Sequence, residues 1–347
     1  MSSEPGHLRP PSPSRITLYT LGGTIASTDD DASGARPRLE GAELLGPVAA
    51  TVRDVEVEVV SVRQVASVEL TLADALYLAQ RIRGDLGDGQ DGVVITQGTD
   101  TIEEFAFALE LLVDTESPIV VTGAMRHPGA LGADGPANLA ASIGAASDQV
   151  LRGAGVVVVM NDEIHAARFV RKSNSANVAA FTSPSTGAIG RITEGRVRLY
   201  VRPPRLDRVI DPARVAGNVA PVLLFSCALG DDGRVLDRVA DLGYAGVVLE
   251  GFGGGHVPAR MVAPLAKVAA TMPVVLASRT GSGDVLASTY GYDGSERDLL
   301  GRGLISAGFL DGRKARILLS LLLGMGASRE DVAVAFARLH RSATGLR

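Results

Sequence analysis

Val93, Val94 and Ile95 form a short, continuous apolar run of β-branched side chains, and the apolar character stops at Gly98. A strand with one wet face alternates polar and apolar residues. A strand without that alternation is buried on both faces, as in a parallel sheet covered by helices. Thr99, Asp100 and Thr101 follow the glycine directly, and Phe105, Ala106, Leu109 and Leu112 then recur at helical spacing. Asp100 or Thr101 is placed to cap that helix, with Glu103 and Glu104 positioned for a capping box. Three oxygen-bearing side chains thus fall between the carboxyl end of a strand and a helix N-terminus, where open α/β sheets bind ligands. A well-capped helix after a tight glycine turn accounts for the same residues without any ligand.

The pattern recurs along the chain. Ile16–Leu21 reads as the first strand, ending in Gly22-Gly23-Thr24-Ile25-Ala26-Ser27. Two glycines let the backbone turn sharply and expose amides beside Thr24. Neither a GxGxxG spacing nor a glycine-lysine pair follows, so a nucleotide loop fits poorly. Asp29–Pro37 reads as a mobile loop and Glu43–Val52 as a short helix. Val55–Val62 alternates as a second strand, after which Thr71 or Ser67 precedes a helix running through Arg83. Pro118–Thr122 is a further strand closing in Gly123-Ala124-Met125-Arg126, and Asp134-Gly135-Pro136 opens a helix with proline in its first turn. Gly155–Met160 is a strand and Ile192–Val201 a hairpin.

Arg202–Pro221 contains four prolines and irregular charge, which suits a domain linker. Beyond it Val222–Phe225, Ala245–Leu249 and Pro273–Ala277 read as strands separated by helical stretches, a smaller parallel α/β domain. Gly281–Arg297 is glycine-rich and polar, which predicts a surface loop, and it contains Glu296. The expected division is a tail over 1–15, a large N-terminal α/β domain over 16–201, a linker over 202–221 and a smaller C-terminal domain over 222–347. A length of 347 residues accommodates two cores.

Composition narrows the function. A net charge of −5 provides no basic footprint, and with no Trp and few Phe or Tyr there are few platforms for stacking bases. Nucleic acid is therefore not expected as a partner. Cys227 is the only cysteine, which rules out an intrachain disulfide. It lies in an apolar run and reads as an inert buried thiol. Met1–Arg15 is polar, rich in Pro and Ser and without an apolar stretch, so it reads as a disordered tail rather than a signal peptide. No apolar run reaches membrane-spanning length, which makes a cytoplasmic protein the default expectation. Gly251–His256 follows a strand but lacks the lysine of a phosphate loop, and no metal-ligand cluster is evident. Local pattern does not place Lys172.

GGTIAS at Gly22–Ser27 and GTDTIEE at Gly98–Glu104 closely resemble the paired threonine signatures of bacterial-type L-asparaginases. The likeness continues through Gly123–Arg126, Ala133–Pro136, Val159–Asp162, Lys172 and Lys314-Ala315-Arg316, in the family's order. The resemblance implies a large N-terminal α/β domain with a mixed sheet and a smaller C-terminal parallel α/β domain. It implies catalytic roles for Thr24, Thr99, Asp100 and Lys172, with Thr24 as nucleophile. Ser67, Gly23, Gly98 and Ala124 correspond to substrate-binding positions. Glu296 lines up with an acidic residue that a neighbouring subunit contributes, and His256 with a polar residue near that neighbour's substrate. The implied reaction converts L-asparagine to L-aspartate and ammonia through an acyl-threonine ester, without metal or organic cofactor, in a homodimer or homotetramer. An amidase acting on glutamine or another small amide, or a non-catalytic binder of small amides, are the alternatives.

The residue types suit amide hydrolysis, which needs a nucleophile, a proton relay and a place for oxyanion charge. A threonine hydroxyl attacks only with the help of a base or a hydrogen-bond chain, and a lysine beside Thr99 and Asp100 supplies such a relay. Three positions depart from the family pattern. No tyrosine occurs between Tyr19 and Tyr77 to assist Thr24. Val68 stands where a glutamine often holds the substrate's head group, and Gln97 where histidine is common.

Overall fold

Val93, Val94 and Ile95 are all fully buried, and they alternate between two cores. Val93 and Ile95 pack with the helices Leu72–Gly87 and Ile102–Leu112, while Val94 faces the helix Gly135–Ser147 on the other side. This computed structural model describes residues 13–28, 34–52, 54–215 and 219–345. The expected tail therefore lies almost wholly outside the described residues, although Ser14 and Arg15 already belong to the first strand, Ser14–Gly22.

The N-terminal sheet has eight strands in the order Arg196–Leu199, Gly190–Thr193, Glu163–Ala166, Val156–Met160, Ile119–Thr122, Gly92–Thr96, Ser14–Gly22, Val55–Val65. The last five are parallel and the first three join antiparallel, so the sheet is mixed. Val55–Val65 is the edge strand and is half exposed, which is why its sequence alternates where the central strands do not. The C-terminal domain carries four parallel strands in the order Val222–Ser226, Gly246–Gly251, Val274–Ser278, Ile305–Ser306. The fourth has two residues, too few to register as a pattern in the sequence.

Several local expectations change. Thr71 caps the helix Leu72–Gly87 through a reciprocal pair with Asp74, whereas Ser67 lies in a separate turn, Ser67–Glu69. The expected capping box at Ile102–Leu112 does not form: Thr101 donates its hydroxyl to Ser67 O instead, and Glu103 is turned into the protein. The helix expected over Glu43–Val52 is Gly41–Leu45 followed by a tighter turn, Gly46–Val48. Part of the loop expected at Asp29–Pro37 lies outside the described residues, and Arg36–Pro37 pairs with Ser27–Thr28. Arg202–Pro221 has no helix or strand among its described residues, yet Ile210 and Val215 are buried and Pro204 O accepts from Arg168.

The helix Gly312–Gly324 joins the two domains. Its apolar face shares one core with Ile102–Leu112 and with Val248 and Val275 of the C-terminal sheet. At its first turn Lys314 is buried, donating to Val170 O at 2.7 Å and to Asp311 at 3.0 Å. Burial opposes ionisation of Asp311, but the Lys314 charge and the backbone N–H groups of the helix start outweigh it and hold the carboxyl below its ordinary range.

Asp311→Asn is therefore expected to lower stability at pH 7 by about 3–5 kcal/mol, the cost of breaking a buried pair. Because the folded pKa is depressed, the wild-type advantage is complete above the ordinary value of 3.8 and is lost as the pH falls through the folded value. Urea unfolding of both proteins at pH 7 and in strong acid measures the difference, and an unchanged gap contradicts the pairing.

Candidate active site

Four adjacent parallel strands end in the residues singled out from the sequence. Ser67 follows Val55–Val65, Gly23 and Thr24 follow Ser14–Gly22, Gly98–Asp100 follow Gly92–Thr96, and Gly123 and Ala124 follow Ile119–Thr122. The loops meet backbone to backbone. A Cβ on Gly23 would lie 2.0 Å from Gly98 N, and one on Gly98 would lie 2.8 Å from Ser67 Oγ. Gly23 also has φ +81°, which disfavours any side chain. Gly123 meets Gln97 O and the Thr99 methyl in the same way. Ala124 is fully buried against Gly135. Glycine is needed here for proximity, so that the two threonine-bearing turns abut.

Lys172 completes the group from a distant segment. It sits on a two-residue strand, Arg171–Lys172, paired with Phe181–Thr182. Its ammonium donates to Thr99 Oγ1 at 2.8 Å and to Asp100 Oδ1 at 2.6 Å. Thr99 is buried, while the Asp100 side chain is 63% exposed, so the lysine bridges the interior and the open end of the site. A hydroxyl that accepts from an ammonium keeps its own proton directed elsewhere, towards a substrate or a water.

Thr24 opens a single tight turn, Thr24–Ala26, pinned by Ser27 Oγ and Ala26 N, both donating to Gly23 O. Among the described residues no side chain bonds the Thr24 hydroxyl. Tyr19 is not its missing partner: the ring is fully buried and its hydroxyl donates to Asp85. Burial, reinforced by that carboxylate, pushes the phenol above its usual range. Cys227 is a buried thiol whose pKa burial raises to about 12.

The remaining landmarks brace the strand ends. Asp134 does not cap its helix; its carboxylate accepts from Met125 N and Arg126 N at 3.0 and 2.9 Å. Asn138 donates to Gly123 O and accepts from Asn161 N, both at 3.0 Å. These two side chains fix the loop carrying Ala124 to the neighbouring strand end.

Residues 15–205 match the family model for the asparaginase N-terminal domain, and residues 221–336 that for the glutaminase/asparaginase C-terminal domain. The chain belongs to the asparaginase family. An L-asparaginase from Bacillus licheniformis is 35% identical over 315 residues, covering 89% of this chain and 95% of its own. A probable L-asparaginase from Deinococcus radiodurans is 36% identical, covering 95% and 99%. The crystal structure of a probable cytoplasmic L-asparaginase from Campylobacter jejuni superposes with a TM-score of 0.83 at 30% identity, covering 94% of this chain and 99% of its own.

In this asparaginase-family chain Glu296 is not in an exposed loop. It is the first residue of a short helix, Glu296–Gly301, and is completely buried. One carboxylate oxygen accepts from Thr289 N and Tyr290 N at 2.8 and 2.7 Å, and the other lies 3.1 Å from His256 Nε2. Burial works against the charge, but these donors prevail and hold the carboxyl below its ordinary range. The polar sequence misleads because its polarity is satisfied internally. His256 in turn packs edge-on against Tyr290 and Tyr292, which are half exposed.

One contact of the site was missed from sequence: Glu103 accepts from Lys172 N across 69 residues, with no local signature. The scarcity of lysine is a signal in its own right. Of the 34 basic residues only Lys172, Lys267 and Lys314 are lysines, and two of those three are at or beside the site.

Val68, beside buried Ser67, is 66% exposed, so a longer side chain can be accommodated there. Val68→Gln is expected to lower KM for asparagine with kcat little changed, measured by steady-state ammonia release; an unchanged KM assigns the head-group contact to another residue.

Proposed function

We propose that the chain is an L-asparaginase, hydrolysing the side-chain amide of L-asparagine to L-aspartate and ammonia. The observation that carries this reading is the Lys172 ammonium shared between Thr99 and Asp100, beside a strand end that glycine packing forces against the Thr24 turn. Thr24 Oγ attacks the amide carbon, and its proton passes to the departing nitrogen, which leaves as ammonia. A water then attacks the resulting ester. The Lys172 ammonium, held by Asp100, fixes the Thr99 hydroxyl, and through that hydroxyl the water's proton passes to Thr24 Oγ as the ester bond breaks and aspartate departs. Amides around Gly23–Thr24 or Gly98–Thr99 stabilise the oxyanion, a contribution of about 3–4 kcal/mol where one such donor has been removed in other hydrolases. Ser67 and Ala124 line the substrate's place. The exposed valine at position 68 supports a second reading, an amidase tolerant of glutamine. The cytoplasm is the proposed compartment, as for the probable cytoplasmic L-asparaginase from Campylobacter jejuni.

Purified protein is expected to release ammonia from asparagine faster than from any other member of a small-amide panel. Quenching during turnover should leave an acyl mass on the peptide containing Thr24. Absence of ammonia release from asparagine overturns the assignment, and an adduct on Thr99 alone reverses the roles of the two threonines.

The assembly proposed is a homo-oligomer, dimer or tetramer, in which Glu296 serves a neighbouring copy's site. Its internal engagement supports an action through His256 and the Tyr290 segment rather than by direct contact. Co-expressed Thr24→Ala and Glu296→Ala subunits test this. A shared site leaves one complete site in each mixed dimer, so activity reappears although both parents are impaired. A verified mixed dimer as inactive as its parents removes Glu296 from the shared site.

A further inference from the structure

We propose that Glu103 is a positioning residue for Lys172, and that the C-terminal domain sets the catalytic lysine through it. The inference rests on the assignment of Lys172 to the hydrolytic site. Glu103 is almost fully buried in the first turn of Ile102–Leu112, immediately after Thr99 and Asp100. One carboxylate oxygen accepts from Lys172 N at 2.5 Å, and the other pairs with Arg313 at 2.9 Å. A single helix start therefore grips one residue at both ends. Thr99 and Asp100 take the ammonium, and Glu103 takes the backbone N–H.

The other half of the grip comes from Gly312–Gly324. Arg313 neutralises Glu103 in a place where an unpaired carboxylate would be strongly unfavourable. Lys314, the next residue, donates to Val170 O, two positions before Lys172. The segment Val170–Lys172 is thus held at its start by Lys314 and at its end by Glu103. Since Arg171–Lys172 and Phe181–Thr182 form only a two-stranded ribbon, the sheet itself does not fix the lysine. The choice of residue fits the geometry. An arginine fork at 314 or 172 would be planar and larger, whereas an ammonium fits a compact site as a point charge. In a chain that uses arginine nearly everywhere, lysine occurs at both places.

Three lysines make the test direct, because selective labelling with [15N]lysine yields three backbone amide signals in the whole chain. The Lys172 amide, bonded to a carboxylate, is expected far downfield and should move in Glu103→Gln and in Arg313→Met, while the Lys267 amide stays in place. A Lys172 signal unmoved by Glu103→Gln overturns the proposal. Kinetics give the second readout. Glu103→Gln should lower kcat on asparagine about tenfold with KM within about twofold, and should have no further effect in a Lys172→Met background, as for residues acting as one unit. Losses that multiply, or a change confined to KM, refute positioning through Lys172. If Glu103→Gln does not fold, Arg313→Met, at a partly exposed position, takes its place in both measurements. If the wild type hydrolyses no amide, the proposed function fails while the spectra still decide the positioning.

Discussion

The close approach of Gly23 to Gly98 is the constraint on which the rest of the site depends. Adjacent parallel strands lie about 4.8 Å apart, and their following loops usually diverge because side chains keep them separate. Here the chain has removed the side chains at the crossing, and Ser67 and Gly123 close on the same point from the two flanking strands. The threonines are therefore held by the sheet's own geometry rather than by flexible loops. The cost is local: Gly22 and Gly23 adopt left-handed backbone and lose much conformational freedom on folding. A rigid sheet buried on both faces supplies the compensating burial.

The sheet orders only part of the machinery. Lys172 belongs to a short ribbon outside it, and its location is decided where the two domains meet. Among the described residues, that junction carries the buried Lys314, donating to Asp311 and to Val170 O, and the partly exposed Arg313 paired with buried Glu103. Buried ion pairs are weak stabilisers relative to apolar packing, but they are directional. Their arrangement suits the task of placing one ammonium between a hydroxyl and a carboxylate. The apolar core that runs from Ile102–Leu112 into the C-terminal sheet supplies the stability within which these contacts act.

What could be read from the sequence follows the reach of the physics involved. The burial of Val93–Ile95 was legible because a two-sided environment writes itself into every consecutive residue. The abrupt glycines marked strand ends for the same reason. Glu103 was not legible: it occupies a capping position by spacing, and only the fold reveals that its partners lie elsewhere. Glu296 was misread because a polar, glycine-rich stretch is usually solvated, whereas here backbone amides and His256 replace the solvent. The family likeness located Lys172, and its chemistry became clear only when the ammonium was seen between Thr99 and Asp100.

The scarcity of lysine has a practical consequence. The Lys267 side chain is 78% exposed, while those of Lys172 and Lys314 are 13% and 2% exposed. Amine-reactive reagents therefore find essentially one accessible side-chain amine per folded chain. Lys267 lies on the helix Val262–Thr271 of the C-terminal domain, away from the strand ends that carry the threonines. Of the three lysines, acylation would thus modify the one remote from the threonines and spare the two that hold the site.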